Sequence, residues 1–227
     1  MRIYSIVLAS CIAANVAAES NFEGELSLEP VGCQSTGRCI SRNPLRFTDS
    51  KAYVWEAEAN LPTDGASIPP IFQPFVGEPF EKSFIKAAIV HDHYCKRQVR
   101  PWRQTHRVFY EGLRDQGVVE SKAELMYYAV YLAGPRWAKL IPGRNCGPMC
   151  INAVLRSTNA PTYVTREARY DRPDLAEDLK NLDAELEHDA SLVTLEELEK
   201  RADAKDPNDF YLQHGDSVPT TDESFTQ

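Results

Sequence analysis

Three helical segments crowd into the stretch from about residue 80 to residue 133, joined by connections of only a few residues, and nothing else in the chain constrains its fold as much. The first is expected over about Phe80 to Arg97. At about 100° per residue, Phe80, Phe84, Ala88, His91 and Cys95 share one face, and Lys82, Lys86, His93 and Arg97 share the opposite one. His91 should therefore point inward and His93 to water, with Asp92 at the edge of the inner face. The second segment is expected from Trp102 to Gln116, because Pro101 suits a first turn and Gly117 an end. Trp102, His106, Phe109, Tyr110 and Leu113 make its apolar face, with His106 at the centre. The third is expected from Lys122 to about Ala133, opened by a capping-box pattern of Ser121 and Glu124 and stopped by Gly134-Pro135. It is apolar on most sides, as a central core helix would be. Gln98 to Pro101 is so short a link that the first two helices should be antiparallel neighbours. His91 and His106 should then approach within about 3–5 Å.

Residues 20–60 read as short strands: Leu26, Leu28, Phe47, Tyr53, Val54 and Trp55 lie between Gly, Pro, Asn and Asp punctuation. Residues 61–79 form a loop rich in Pro and Gly. The expected fold class is α+β, with N-terminal short β-strands packed on a three-helix core and a C-terminal acidic helical extension. The net charge of −8 hides an asymmetry. From Arg166 onward eighteen acids face seven bases, so the acidity belongs to the tail and the body carries a small positive charge. Residues 166–206 are expected to form a charged helical extension, with Leu175, Leu179, Leu182 and Leu186 in it, that shares little core with a compact domain over 19–165. Truncation at about Thr165 should then leave that domain folded, and residues 207–227 should be disordered.

The first eighteen residues read as a secretory signal: Arg2, an apolar stretch from Ile3 to Val16, then the small residues Ala17 and Ala18. The stretch is too short for a transmembrane span. Leu8-Ala9-Ser10-Cys11 offers the alternative of a lipoprotein anchored through Cys11. An exported chain permits disulfides. Cys33 with Cys39 and Cys146 with Cys150 are the local pairs, and Cys95 with Cys146 or Cys150 is the alternative. With no long basic run and no recognition motif, nucleic acid is not an expected partner.

A histidine at the centre of an apolar face needs partners, because burying it unpaired costs several kcal/mol, on the order of a lost hydrogen bond or more. Two of them on adjoining helices, with Asp92 beside the first, point to chemistry. His91 would be a general base activating water or Ser67, with Asp92 and His106 orienting it. In a metal version, His91, His106 and a carboxylate (Asp92 or Asp64) would hold zinc with an open position; calcium is the other ion weighed. Asp64 and Ser67 would hang over His91 from the Pro- and Gly-rich loop. Arg103 and Tyr94 are the candidate substrate contacts, and Arg103 is also a candidate partner of Asp92. Cys95, one turn after His91, faces the same space and reads as core. The bases around the first two helices would suit an anionic small molecule or a cell-envelope component.

Thr63-Asp64-Gly65-Ala66-Ser67-Ile68-Pro69, then His91-Asp92-His93-Tyr94, an Arg103-x-x-His106 helix and Gly134-Pro135-Arg136-Trp137, together resemble the family named domain of unknown function 1353. That family is common in tailed prophages and occurs as secreted bacterial proteins; the resemblance covers roughly residues 22–138. Two features depart from it: the usual Pro-x-Gly-Phe before Thr-Asp is reduced to Leu61-Pro62, and the acid common in the second helix is His106. The resemblance implies that the Asp64–Ser67 loop belongs with the His-Asp pair. His91 to Cys95 is also similar to the H-D-x-C-Y helix of secreted phospholipases A2, with Tyr and Cys exchanged and no glycine-rich calcium loop. The expected function is a secreted hydrolase acting on envelope material, lipid or cell wall. The alternative is a structural or binding module in which His91, Asp92 and His106 form a buried hydrogen-bond network.

Overall fold

The computed structural model of the protein describes residues 21–66, 68, 73–141, 163–189 and 193–219. The expected signal segment, Cys11, Ser67, Cys146 and Cys150 lie outside the described residues.

The N-terminal part forms two small antiparallel sheets. Strands β1 (Phe22–Glu23), β4 (Leu45–Thr48) and β5 (Val54–Ala57) make the first, in the order β1-β4-β5, with Phe22 opposite Phe47 and Phe47 opposite Trp55. Strands β2 (Leu28–Glu29), β3 (Cys39–Ser41) and β6 (Leu61–Thr63) make the second, in the order β2-β3-β6. Alternation works as it should on β4, where Leu45 and Phe47 are buried and Arg46 is exposed. The Cys33–Cys39 disulfide closes the turn that leads into β3.

A short helix α1 (Gln73–Val76) precedes the three expected helices: α2 (Ile85–Arg97), α3 (Trp102–Asp115) and α4 (Glu120–Ala133). Helix α2 begins five residues later than the face count suggested, and Phe80 to Phe84 lead into it as turns. Gln98 in the left-handed region (φ 54°) ends α2 and lets the chain reverse at once into α3. The capping box on α4 is not formed. Val119 stands at the cap with no side-chain bond, and Glu124 is buried instead of folding back over the first turn. Helix α4 is buried on nearly every side, as its composition demanded. Helix α3 and the two helices of the acidic region, α5 (Leu175–Asp189) and α6 (Leu195–Lys205), pack around it.

Three expectations fail here. His93 is 7% exposed and does not face water. Helix α2 is covered on both sides: Ala88 and His91 face α3, while Ile85, Ile89 and Val90 join Leu45, Phe47 and Trp55 of the first sheet. The lysine and arginine that marked the outer face reach across the strands. Lys86 donates to Gly24 O, and Arg97 pairs with Glu58 while approaching His93 Nε2. Burial, with the Arg97 charge, lowers the pKa of His93. The tail, likewise, is not a separate appendage. Leu175, Leu179, Leu182, Leu186 and Leu198 are buried in the same core as α4. Beyond residue 207, where disorder was expected, α7 (Phe210–His214) follows, and strand β9 (Ser217–Pro219) pairs with the body. The third sheet runs β8 (Tyr163–Arg166), β7 (Arg136–Ile141), β9, antiparallel and then parallel.

Candidate functional site

Helices α2 and α3 approach closely because small residues face each other: a Cβ on Gly112 would stand 3.0 Å from the Ala87 Cβ. One turn further along the crossing, His91 lies against Phe109 and His106, with ring centroids 4.9 and 5.1 Å away. His91 Nε2 is 2.9 Å from His106 Nδ1, within the distance expected from the sequence. Cys95 Sγ, one helical turn beyond His91, is 3.5 Å from His91 Nε2. One ligand-type atom from each of His91, Cys95 and His106 falls within 4.8 Å of the others.

The protons of this cluster are tightly constrained. His106 is fully buried, with Trp102 and Trp137 edge-on to its ring. Burial, and then the neighbouring His91, hold its pKa well below the usual imidazole range, so it is neutral. Its Nε2 faces Pro135 O at 3.1 Å, and a carbonyl only accepts, so Nε2 carries the proton and Nδ1 is bare. His91 Nδ1 faces Asp92 Oδ1 at 3.3 Å. If Nδ1 carries the proton, two bare nitrogens meet at 2.9 Å. If Nε2 carries it, a bare nitrogen faces a carboxylate. Burial, with the Asp92 charge, pushes the Cys95 thiol well above its ordinary pKa, so without a cation beside it Cys95 is a thiol and a poor nucleophile.

The set best placed to hold a metal is thus His91, Cys95 and His106. Asp92 belongs behind His91, on the other ring nitrogen. Nitrogen and sulfur donors suit zinc and not calcium, which takes oxygens. Tetrahedral zinc would ask for about 3.3 Å between the nitrogens and about 3.5 Å between nitrogen and sulfur. The observed 2.9 and 3.5 Å are close to that.

His91, Asp92 and Cys95 line an open pocket together with Asp64, so the cluster is reached from solvent. Asp64 is therefore brought to the site. Its loop is held by Ala66 N–H donating to Pro79 O, and Gly65 at φ +88° is needed there because a Cβ would strike that carbonyl at 2.5 Å. The two candidate substrate contacts turn elsewhere. Tyr94 packs on Trp55, and its hydroxyl accepts from Glu56 N–H. Arg103 lies over the Trp102 ring and reaches the Tyr131 hydroxyl and Asp216, so it is not the partner of Asp92. The sequence reading passed over Cys95 as a ligand, although its spacing of four from His91 was a usable signal. It also missed Tyr170, which lines the site from the segment before α5 with a pKa raised by burial and by Cys95 and Asp92. No local pattern marks that residue.

The profile of the family described as "Protein of unknown function (DUF1353)" matches residues 41–130. The uncharacterized protein y4iH of Sinorhizobium fredii (strain NBRC 101917 / NGR234) is 40% identical over 191 residues, which span 82% of this chain and 78% of that relative. The chain belongs to the DUF1353 family. A second protein of the same strain, the uncharacterized protein y4jT, is 34% identical over 156 residues, 63% of this chain and 44% of its own length. No solved structure matches the chain. The family segment contains Asp64, His91, Asp92, Cys95 and His106, whereas Pro135 and Tyr170 come from outside it.

Proposed function

We propose that this protein is an exported, zinc-dependent hydrolase of envelope material, with the metal held by His91, Cys95 and His106. One observation carries the reading: two histidine nitrogens meet at 2.9 Å, and their outer nitrogens already face an acceptor each. A cation between them resolves the proton conflict that either neutral tautomer of His91 leaves. Asp92 then accepts from His91 Nδ1, the usual outer partner of a metal-bound imidazole. Three protein ligands leave a fourth position, where zinc lowers the pKa of a bound water to about 7. Asp64 and Tyr170 line the same pocket, where they would orient water and substrate. The Cys33–Cys39 disulfide suits an oxidising compartment, and no described helix is long and apolar enough to cross a membrane.

The competing reading is a buried hydrogen-bond network in a structural or binding module. Its support is the same His91–His106 contact, read as Nε2–H donating to Nδ1. Elemental analysis of the purified mature protein separates the two. The hydrolase reading expects about one zinc per chain, lost in His91→Ala and His106→Ala variants that stay folded. Metal-free wild type with a large loss of stability in His91→Ala would support the network instead.

A further inference from the structure

The cluster stands between two pockets of opposite character, both bordered by His91, Asp92 and Tyr170. On one side is the open pocket of about 540 Å³, whose other walls include Asp64, Lys96, Gln98, Thr165, Arg166 and Glu167. It offers donors and acceptors of both signs and suits a hydrated group. On the other side is a narrow slot walled by Val76, Phe109, Leu125, Met126, Val130 and Leu179. Apart from the three bordering residues every described side chain in that wall is apolar, so among them a polar group entering it would lose its water without gaining partners. The slot measures about 60 Å³. At about 10–15 Å³ for each water-sized group, that is room for a chain of roughly four to six carbons.

From this arrangement, and resting on the hydrolase reading above, we infer that the substrate is a short acyl ester or amide of a polar alcohol or amine. The acyl chain lies in the slot, the polar remainder lies in the open pocket, and the carbonyl between them sits beside His91 and Asp92. In the reaction the oxygen of water bonds to the acyl carbon and the bond from that carbon to the leaving oxygen or nitrogen breaks. One proton of the water leaves with the alcohol or amine, and the other stays with the carboxylic acid or passes to solvent. Longer chains exceed the volume of the slot. Ala66, Ala88 and Ala129 are small residues that keep the slot open, and Met126 is a flexible wall.

The test uses the full mature protein with its zinc content measured first, and p-nitrophenyl esters from acetate to palmitate. The expected kcat/KM is greatest at four to six carbons and falls at least tenfold by twelve. Ala129→Leu should move the optimum to acetate, and Met126→Ala should move it towards octanoate. Hydrolysis that is flat with chain length, or rises towards palmitate, would overturn the inference while leaving the hydrolase reading intact. A second measurement needs neither metal nor turnover: the methyl resonance of Met126 in labelled protein should shift with added 1-pentanol, and in Ala129→Leu it should not. Zinc-loaded protein without this shift again overturns the slot alone. A shift in protein that holds no zinc and cleaves no ester overturns the hydrolase reading, and the substrate assignment with it.

Discussion

At the scale of single residues, what decides the site is how each polar group is supported from behind. Asp92 does not reach the converging point of the three ligands; it faces His91 Nδ1 at 3.3 Å. Asp92→Asn should therefore keep the metal stoichiometry and weaken affinity about 10- to 100-fold, the usual cost of losing an outer partner, as read by competition with a chromogenic chelator. Unchanged affinity would place Asp92 outside the metal's support. A second buried acid behaves differently. Glu124 on α4 is 2% exposed, and its Oε2 has no partner. Burial, and then the Glu120 charge against the opposing Arg114, raises its pKa from 4.5 to about 7. A carboxyl whose pKa is higher in the folded state takes up a proton on folding. Below about pH 4.5 both states are protonated and nothing is lost. As pH rises from there through 7 the folded state is penalised, by at most about 3.5 kcal/mol at about 1.4 kcal/mol per unit. Glu124→Gln should thus gain stability over wild type at pH 8 and lose that advantage at pH 4. Denaturant titrations at the two values check this, and a pH-independent difference would refute it.

At the scale of elements, the site exists because α2 and α3 cross closely. A Cβ on Gly112 meets the Ala87 Cβ at 3.0 Å and the Phe22 ring at 3.3 Å, so larger side chains must push the helices apart. Gly112→Val should cost about 1–3 kcal/mol, the usual range for overpacking, and should also weaken zinc binding, because His91 and His106 are carried by the same two helices. Loss of stability with unchanged metal affinity would show that the cluster tolerates the displacement. This crossing was legible in the sequence: the four-residue connection and the apolar placement of His91 and His106 together required them to meet. The opposite face of α2 was not. Arg97 is exposed as expected, but it also reaches Glu58 and the His93 ring, while Lys86 donates to Gly24 O beside the first sheet, and His93 between the helix and the strands is buried. A helical wheel ranks side chains by polarity and cannot tell a solvated lysine from one laid along a neighbouring sheet. The third sheet escaped notice because its strands come from 136–141, 163–166 and 217–219, and such distant partners leave no local periodicity.

At the scale of the whole molecule, the charge asymmetry that suggested a detached tail is the means of its attachment. The tail supplies acids and the body supplies bases: Glu196 and Glu199 receive Arg107 of α3, and Asp209 receives Arg136 of β7 together with the tail's own Arg166. Arg136 is fully buried, so removal of its partner leaves an uncompensated charge in the core. Beneath these pairs, the leucines at 175, 179, 182 and 186 follow helical spacing and pack on α4, a stripe visible in the sequence but outweighed there by the count of charges. Each buried leucine contributes about 1.5–3 kcal/mol, so these four together rival the whole net stability of a domain, about 5–15 kcal/mol. Tyr170, on the segment that leads into α5, also forms part of the wall beside His91. Truncation after Thr165 should therefore strip one side of α4, leave Arg136 unpaired and open the slot at once. The expected product is insoluble or lacks a cooperative thermal transition, and it binds no zinc stoichiometrically. A truncated chain that melts cooperatively and retains its metal would show that the body folds on its own, and that the tail's leucines cover a surface α4 does not need covered.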